Sequence, residues 1–410
     1  MKKILVIGYV WPEPNSSAAG RHMMSILRLF REQNWQVEFA TPAQPTEHMI
    51  DLASESITSQ EIRLNCDSFD TYVSEYQPDI VMFDRYIMEE QFGWRVEANC
   101  PSALKILDTE DLQCLRHARH EAVKADREMT QIDLFSDIAK REIAAILRCD
   151  LSLIISSYEM ELLTNTFKVD VNLLHHLPFM IDLDTCPDKT KSFIERQHFL
   201  SIGNFRHAPN WDAVLQLQTI WPLIRKKLPK AELHIYGAYP PPKTTALNNP
   251  ETGFLIKGWA EDATTVMESA RVCLAPLRFG AGIKGKLLES MIMQTPNVTT
   301  SIGSEGMHQD EAWSGAIADD WSDFADAAIK LYNDEQAWHD AQQNGNKLLK
   351  ARYDKTPLSE KLMGKITNTI ENLEQHRINN FTGSMLKHHS MMSTKYMSQW
   401  IAVKNDKSPQ

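Results

Sequence analysis

The sequence predicts an α/β protein made of two doubly wound, Rossmann-like domains in tandem, followed by a helical C-terminal extension. Three observations support this fold class. Short apolar runs alternate with helical patterns, which is typical of parallel sheets covered on both faces. The chain has 410 residues, more than one hydrophobic core usually supports. A stretch without periodicity, residues 177–191, separates two such alternations and contains Pro178 and Pro187.

The first predicted domain spans residues 1–180. It opens with a β-branched run over residues 3–10, which leads into a loop at Trp11 and Pro12, and a helical pattern follows from Gly20 to Phe30. Further apolar runs have the length of strands, and helical stretches lie between several of them. These runs are residues 37–40, 79–83, 104–107 and 151–155.

The second predicted domain spans residues 192–355 and repeats the alternation. Its strand candidates are residues 198–202, 232–236, 254–256, 272–275 and 297–300. Beyond residue 355 the pattern is helical only, so residues 356–410 are predicted to form the C-terminal extension. Apolar side chains there recur near helical spacing and are expected to pack a terminal helix against the body of the protein. They are Met385, Met392, Tyr396 and Trp400.

Charge and composition exclude several classes of protein. The formal net charge of −11 argues against broad binding to a nucleic-acid backbone, although it allows a local basic pocket. No window reaches the roughly 18 to 20 apolar residues that a membrane span needs. The six cysteines are scattered and form no C-x-x-C pair. These features predict a soluble, cytoplasmic protein with at most peripheral membrane contact and no nucleic-acid partner.

The segment 272–307 carries the strongest chemical signal. It combines a strand, a glycine-rich turn, a helix, a second strand and a second glycine turn. Gly280, Gly282 and Gly285 allow backbone N–H groups to approach a ligand, and a helix starting near Lys284 directs its positive end to the same place. Lys284 and Lys286 add positive charge where the helix dipole disfavours it. The pattern therefore predicts an anion, such as a diphosphate, at this turn.

The same turn also fits a dinucleotide fingerprint. Residues 280–285 match G-x-G-x-x-G, and Glu305 follows at about the distance of a ribose contact. This unit comes late in its domain, however, and the fingerprint does not usually carry paired lysines. An NAD-dependent oxidoreductase is therefore the less favoured interpretation.

The segment resembles the donor-site signature of the retaining family-4 (group 1) glycosyltransferases, which have the GT-B fold. The matching letters are APLRFGAGIKGK, a following Glu, P-N-V-T-T and G-S-E-G. Supporting matches are SIGNFRHAPNWDAV at residues 201–214, ILDTEDLQCLRHAR at 106–119 and PEPNSSAAGRH at 12–22. Together these matches cover about three quarters of the chain.

The resemblance implies roles for particular residues. Glu289 would accept hydrogen bonds from the donor ribose, and Lys284, Lys286 and the Gly282 amide would hold the diphosphate. The turn from Gly303 to Gly306, with Glu305, would lie near the transferred sugar. The remaining donor-binding candidates are Gly203, Asn204, Arg206 and Gly280.

This sequence departs from the family pattern at two places. A Glu eight residues before the ribose-binding Glu is common in the family, and Ala281 stands there. The usual Arg and Lys after the first strand of the second domain are replaced by Asn204, Phe205 and Arg206, followed by Asn210. Phosphate binding is therefore expected to depend on Arg206 or on the two lysines.

Candidate acceptor residues lie in the first domain. Asp108 and Asp111 follow a predicted strand, at the end of a sheet where α/β proteins bind ligands. The alternative is helix capping, since Asp108 could cap a helix that begins near Asp111. Arg21, which follows Gly20 at another helix start, could bind an anionic acceptor or the donor phosphate, or could be a solvated surface arginine.

A bound metal or cofactor is not expected. Asp182 and Asp184 form a D-x-D, but they fall in the predicted linker, away from the donor segment. Adjacent histidines such as those at 175–176 and 388–389 diverge on any regular element and so make poor metal pairs. Metal-independent chemistry is predicted.

The resemblance therefore implies a hexosyltransferase that binds a UDP- or GDP-sugar and transfers its sugar, with retention, to a hydroxyl acceptor. The acceptor could be a glycan, a lipid-linked glycan or a small molecule. Lys286, Glu289, Asp108 and Asp111 are the catalytic candidates. A sugar-nucleotide epimerase of the same fold remains an alternative, as does a non-catalytic relative, which Ala281 favours.

Overall fold

A computed structural model describes residues 1–187 and 189–388, together with Tyr396 and Trp400. Among these residues, no helix combines the length and the apolar character that crossing a bilayer requires. The predicted GT-B arrangement, two doubly wound domains with a helical C-terminal region, is confirmed.

The first domain is a seven-stranded parallel sheet in the order β3-β2-β1-β4-β5-β6-β7. Its strands are β1 (Lys3–Ile7), β2 (Gln36–Thr41), β3 (Thr58–Glu61), β4 (Ile80–Asp84), β5 (Leu104–Asp108), β6 (Leu151–Ile154) and β7 (Leu174–His176). Its helices are α1 (Ala18–Glu32), α2 (Ser68–Tyr76), α3 (Arg85–Asn99), α4 (Gln113–Lys124), α5 (Gln131–Leu134), α6 (Asp137–Arg148) and α7 (Ser157–Asn165). The central strands are buried on both faces, as expected for a doubly wound sheet.

The second domain is a six-stranded parallel sheet in the order β10-β9-β8-β11-β12-β13. Its strands are β8 (Gln197–Ile202), β9 (Leu233–Tyr236), β10 (Phe254–Gly258), β11 (Ala270–Ala275), β12 (Asn297–Thr299) and β13 (Gly315–Ile317). Its helices are α8 (Ala208–Lys227), α9 (Pro242–Thr245), α10 (Ala263–Ser269), α11 (Gly285–Ile292), α12 (Ser301–Ser304), α13 (Trp321–Asn333) and α14 (Glu335–Arg352). In both sheets the strand order reverses beside the first strand, which creates a crevice where such folds bind ligands.

Three strands were not predicted from the sequence. They are Thr58–Glu61, Leu174–His176 and Gly315–Ile317, and each forms an edge of its sheet. All four residues of Thr58–Glu61 are exposed, so the apolar alternation that reveals buried strands is missing. Polar, short edge strands are common because they discourage pairing with other chains.

The C-terminal helices return to the first domain. They are α15 (Lys355–Glu371), α16 (Leu373–Asn379) and α17 (Phe381–Lys387). Leu362 and Ile366 of α15 are fully buried in the same apolar cluster as β1 and α1. The chain crosses between domains twice, side by side, since the Ile181 N–H donates to the Tyr353 carbonyl at 2.7 Å and the Lys355 N–H donates to the Ile181 carbonyl at 2.9 Å.

Helix α17, which carries Met385, lies against α6, since Asn380 at its start donates to the Leu147 carbonyl, but the described members of the last apolar stripe are largely exposed. Met385, Tyr396 and Trp400 are each more than half exposed. Met392 and the histidine at 389 lie outside the described residues.

Candidate active site

A cavity of about 580 Å³ lies between the two sheets. Its walls are the loops and helix starts that follow β1, β4, β5, β8, β9, β10 and β11, so both sheets present their carboxyl ends to it. The elements meet here because parallel strands deliver all their following loops to one edge.

The structure brings eight of the predicted site residues together in this cavity. They are Arg21, Gly203, Asn204, Arg206, Gly280, Lys284, Lys286 and Glu289. The other predicted residues do not line it, namely Gly20, Asp108, Asp111, Gly282, Gly303 and Glu305.

Two lysines on the second-domain wall donate their side-chain hydrogen bonds to neutral oxygens. Lys284 Nζ donates to the Gly282 carbonyl at 2.8 Å, and Lys286 Nζ donates to Asn210 Oδ1 at 2.7 Å. Neither forms an ion pair with any residue that the structure describes. Burial disfavours their charge and lowers the pKa of each to about 8. Both are therefore positioned to gain from an anionic ligand.

Helix α11 begins at this wall because two glycines permit a close approach between the domains. Gly282 has a φ of 63°, and a Cβ there would come within 2.9 Å of the Asp111 Cβ. At Gly285 a Cβ would come within 2.4 Å of the Ala18 Cβ. The start of α11 thus faces α1 of the first domain directly.

Glu289 lies on α11, three residues after Lys286, and forms an ion pair with Arg21 across the cleft. The contact uses Oε1 of the carboxylate. Among the described residues, no hydrogen bond reaches Oε2. One oxygen is therefore fixed by Arg21 and the other is left for a ligand of the cavity.

The loop after β8 also spans the cleft. Asn204 Nδ2 donates to Ser16 Oγ at 3.1 Å, and Asn204 Oδ1 accepts from the Arg206 N–H at 2.9 Å. The Arg206 guanidinium lies 3.5 Å from the centre of the Tyr239 ring. This geometry holds the Arg206 charge at the rim of the cavity.

Asp108 does not occupy the acceptor position predicted for it. It ends β5, is fully buried and lies 3.8 Å from His22 Nε2. Burial and the nearby Asp84 charge raise its pKa to about 7. An acceptor cannot reach a carboxyl with no exposed surface, so this prediction needs correction.

The capping alternative is also wrong. Helix α4 begins at Gln113, and its first N–H groups donate to Glu142 at 2.9 and 3.0 Å. Asp108 instead accepts from the Glu110 N–H at 3.2 Å, closing a local turn. Asp111, the other predicted acid, pairs with Arg116.

The Gly282 amide is not available to a diphosphate in this structure. Its N–H donates to Glu159 Oε1 at 2.8 Å, and the same oxygen accepts from the Leu112 N–H at 3.0 Å. Glu159 is fully buried, and burial, reinforced by the Asp111 charge, raises its pKa to about 8. Glu159 thus ties the glycine turn to the first domain.

Glu305 likewise connects the domains and does not face the cavity. It accepts two hydrogen bonds from the Arg119 guanidinium, at 2.8 and 2.6 Å, while Arg119 also donates to the Gly280 carbonyl at 2.8 Å. Gly303 is buried, and its N–H donates to Thr300 Oγ1. The buried N–H of Gly20 similarly donates to Ser17 Oγ, which caps α1.

Sequence reasoning missed two arginines on the first-domain wall. Arg85 directly follows β4, and Arg116 projects from α4 into the same cavity. Arg116 belongs to a segment that carries the family resemblance. Arg85 could have been found only by knowing that β4 lies next to β1, which requires the strand order.

Two groups of side chains contain potential metal ligands. Asp182 and Asp184 lie at a 3-10 helix, where Asp182 accepts from the Asp184 N–H at 3.2 Å, and neither lines the cavity. Within the described part of the chain, His198, Glu232 and His234 bring potential ligand atoms within 4.8 Å of one another. They come from two neighbouring strand regions, which explains why spacing along the sequence did not reveal them.

This second group is internally hydrogen-bonded. His198 Nδ1 accepts from the Glu232 N–H at 3.2 Å, so the proton of the neutral ring lies on Nε2. That nitrogen faces Glu232 Oε2 at 3.9 Å, and His234 Nε2 lies 2.7 Å from the same oxygen. The group is at the amino ends of β8 and β9, opposite the cavity.

Comparisons with known proteins agree with this architecture. Residues 196–334 match the family model described as glycosyl transferases group 1. No curated protein matches the chain. The matched residues make up about a third of the sequence and lie in the second domain, which also contains the two lysines and Glu289.

Solved structures resemble nearly the whole chain. A mutant of TarM from S. aureus, in complex with fondaparinux, α-GlcNAc-glycerol and UDP, has a TM-score of 0.68 at 12% identity, covering 90% of this chain and 100% of its own. The sucrose-phosphate synthase of Thermosynechococcus elongatus has a TM-score of 0.64 at 14% identity, covering 91% and 100%. HepE of Anabaena, in complex with UDP and glucose, has a TM-score of 0.66 at 10% identity, covering 90% and 100%. At these identities the likeness establishes the fold alone.

Proposed function

We propose that this protein is a glycosyltransferase that takes a hexose from a UDP- or GDP-sugar and transfers it, with retention, to a hydroxyl group of an acceptor. The family match over residues 196–334 supports glycosyl transfer. The likeness to proteins crystallised with UDP supports a nucleoside diphosphate donor. The proposed reaction needs no metal and no resident cofactor.

The observation that carries the proposal is a pair of lysines, the buried Lys284 and the partly buried Lys286, which form no ion pair with a described carboxylate. Sugar transfer breaks the bond between the anomeric carbon and a phosphate oxygen, so negative charge grows on the leaving diphosphate. Preorganised donors stabilise that charge more in the transition state than in the ground state. Losing one such donor typically costs about 3 to 4 kcal/mol of transition-state binding.

Glu289 is suited to a different duty. Its ionised carboxylate is an acceptor only, so Oε2 can bind ribose hydroxyls while Arg21 fixes Oε1. Retention, which the resemblance implies, would let the departing phosphate take the proton of the incoming hydroxyl. No strong protein base is then needed. This agrees with the cavity, because Glu289 is the only carboxylate among the described residues that line it.

A thermal-shift panel of UDP, GDP, ADP, CMP and NAD tests the donor class. A ligand at a hundred times its Kd adds about 2.7 kcal/mol to the free energy of unfolding. We expect UDP or GDP to stabilise the wild type, and Lys286→Ala to lose that shift. Lys226→Ala, which removes an exposed lysine on α8, is the matched control.

Stabilisation by NAD without any response to a diphosphate would refute the proposal. With a positive nucleotide in hand, release of the free diphosphate from its sugar conjugate should survive EDTA. Loss of turnover on chelation, restored by Mn²⁺ or Mg²⁺, would refute metal independence.

A non-catalytic sugar-nucleotide-binding protein is the second candidate, and Ala281 favours it. This side chain lines the cavity at a position where the family that the sequence resembles often carries a carboxylate. Binding of UDP or GDP without any turnover over a broad acceptor panel would support this alternative. Turnover with any hydroxyl acceptor would exclude it.

A further inference from the structure

Arg85 occupies an unusual position at the centre of the first domain. Strand β4 ends at Asp84 in the middle of the sheet, between β1 and β5, and Arg85 follows at once as the first residue of α3. Its φ of 68° is left-handed, a conformation that a non-glycine residue rarely adopts. Eleven other described non-glycine residues also have a positive φ, and Arg85 is the one of these twelve that lines the cavity.

The guanidinium of Arg85 has N–H donors that do not reach an acceptor among the described residues. Its side chain is 18% exposed and lines the cavity. Its Nε lies 3.6 Å from Asp84 Oδ1, beyond hydrogen-bond range, and its Cζ lies 5.1 Å from the centre of the Tyr9 ring. No residue that the structure describes accepts a hydrogen bond from it. Its N–H groups therefore remain available to an acceptor that enters the cavity.

Arg85 remains charged despite its burial. Burial opposes the charge, but the carboxylates of Asp84, Glu110, Asp111 and Asp108 outweigh it and raise the Arg85 pKa. The Asp84 carboxylate is itself held by the Tyr9 N–H at 2.9 Å. The site is therefore a fixed positive charge on a rigid part of the sheet.

A diphosphate at the lysines would leave Arg85 near Asp84 but without a hydrogen-bonded anion. Six cationic side chains line the cavity, namely Arg21, Arg85, Arg116, Arg206, Lys284 and Lys286. Lys284 and Lys286 belong to the opposite wall, and Arg21 is committed to Glu289. Arg116 already pairs with Asp111. Arg85 is the cation of the first-domain wall that lacks a hydrogen-bonded partner among the described residues.

We infer that the acceptor carries an anionic group, a phosphate or a carboxylate, and that Arg85 binds this group at the crevice between β1 and β4, with Arg116 beside it. The inference rests on the proposed function, because it names the class of molecule that receives the sugar. Arginine suits either anion, since its planar fork can bind two oxygens at once.

The anionic group takes no part in bond exchange. A separate hydroxyl of the acceptor forms the new bond to the anomeric carbon, the bond from that carbon to the diphosphate breaks, and the hydroxyl proton leaves with the diphosphate. Arg85 fixes the acceptor so that this hydroxyl faces the anomeric carbon, which makes it a binding and positioning group.

Inorganic phosphate is the simplest probe of this site. The protein is saturated with the nucleoside diphosphate that binds best, and phosphate is titrated while its ³¹P signal is followed. We expect the wild type to bind phosphate and Arg85→Gln to bind it about tenfold more weakly. Glutamine keeps the same strained backbone, so the change removes the guanidinium and little else. Arg28→Gln, which breaks an exposed pair with Glu55, is the matched control.

A second titration separates the two anions. Glucose, glucose 6-phosphate and glucuronate are compared in wild type and Arg85→Gln, and a preference of about tenfold for one charged sugar over glucose identifies the group. Absence of phosphate binding in the wild type would overturn the inference, as would undiminished phosphate binding in Arg85→Gln. A larger loss of nucleotide affinity than of phosphate affinity would move Arg85 to the donor site and also overturn it.

Failure of the proposed function can be told apart from failure of this inference. If no nucleoside diphosphate binds, the proposed donor chemistry fails. The phosphate titration without nucleotide still compares wild type with Arg85→Gln and decides whether Arg85 binds an anion. Circular dichroism of both variants confirms that the fold is retained.

Discussion

The two walls of the cavity present positive charge in opposite ways. The second-domain wall offers Lys284 and Lys286, which come from one short segment and donate to neutral oxygens. The first-domain wall offers Arg21, Arg85 and Arg116, which come from three separate elements and lie beside carboxylates. One wall is encoded locally, and the other is assembled by the topology of the sheet.

This difference has a chemical consequence. The lysines have a pKa near 8, so their charge depends on pH and on what binds them. The arginines stay charged under all ordinary conditions. The charge of the second-domain wall thus changes with pH and that of the first-domain wall stays constant, which would suit the proposed leaving diphosphate, whose charge changes during the reaction.

The largest effect is expected when one of the lysines on the second-domain wall is removed. Lys286→Ala should lower kcat by about a hundredfold to a thousandfold, because a preorganised donor to the departing diphosphate is lost. Steady-state kinetics against Lys226→Ala measure the effect. Near wild-type turnover in Lys286→Ala would take the donor site away from α11.

A second test breaks a contact that connects the two domains beside the cavity. Arg119→Ala breaks the buried contact with Glu305 and should reduce kcat/KM by about thirtyfold, because a network of this kind is worth about 2 kcal/mol. A double-mutant cycle with Glu305→Gln isolates the coupling, and small-angle scattering should report a more open particle. Additive effects and an unchanged radius of gyration would show that the contact does not hold the walls together. Arg127→Ala removes an exposed pair and serves as control.

A third test concerns the ribose. Glu289→Gln should raise the donor KM by about tenfold and lower kcat less, since a ribose contact is made in both the ground and transition states. Product-formation kinetics over a range of donor concentrations separate the two constants. A fall in kcat with KM unchanged would instead assign Glu289 to the chemical step.

The smallest expected effect sharpens the contrast between lysine and arginine. A lysine with a pKa of about 8 is charged below that pH and neutral above it, so the charge lost by Lys286 alone should lower kcat/KM by about fivefold between pH 8 and 9. The acceptor-side phosphate affinity should not follow this curve, because Arg85 keeps its charge. A flat kcat/KM profile up to pH 10 would contradict the role of the lysines.

Most of the fold could be predicted from the sequence because central strands are continuous apolar runs. Leu104–Asp108 and Ala270–Ala275 are examples, and both were found within two residues of their limits. The edge strand Thr58–Glu61 could not be found, since its four residues are polar and exposed. Hydrophobic periodicity reveals strands whose side chains are buried, and the side chains of an edge strand such as Thr58–Glu61 are exposed.

The site was predictable where one segment builds it. Lys284, Lys286 and Glu289 share a turn and a helix, so spacing alone places them on one wall. Contacts between distant residues had no such signal. Arg119 and Glu305 are 186 positions apart, and nothing in either neighbourhood indicates their pairing. The prediction for Asp108 failed because a carboxylate at a strand end can be entirely buried.

The return of α15 to the first domain affects how the chain is made. Leu362 and Ile366 complete an apolar cluster that also contains Ile4, Val6 and Met180. A ribosome adding about 5 to 20 residues per second needs about 10 to 40 s to travel from the end of that domain to Ile366. Through that interval the nascent first domain carries an uncovered apolar face. A helix made after the whole second domain therefore completes the core of the domain made first.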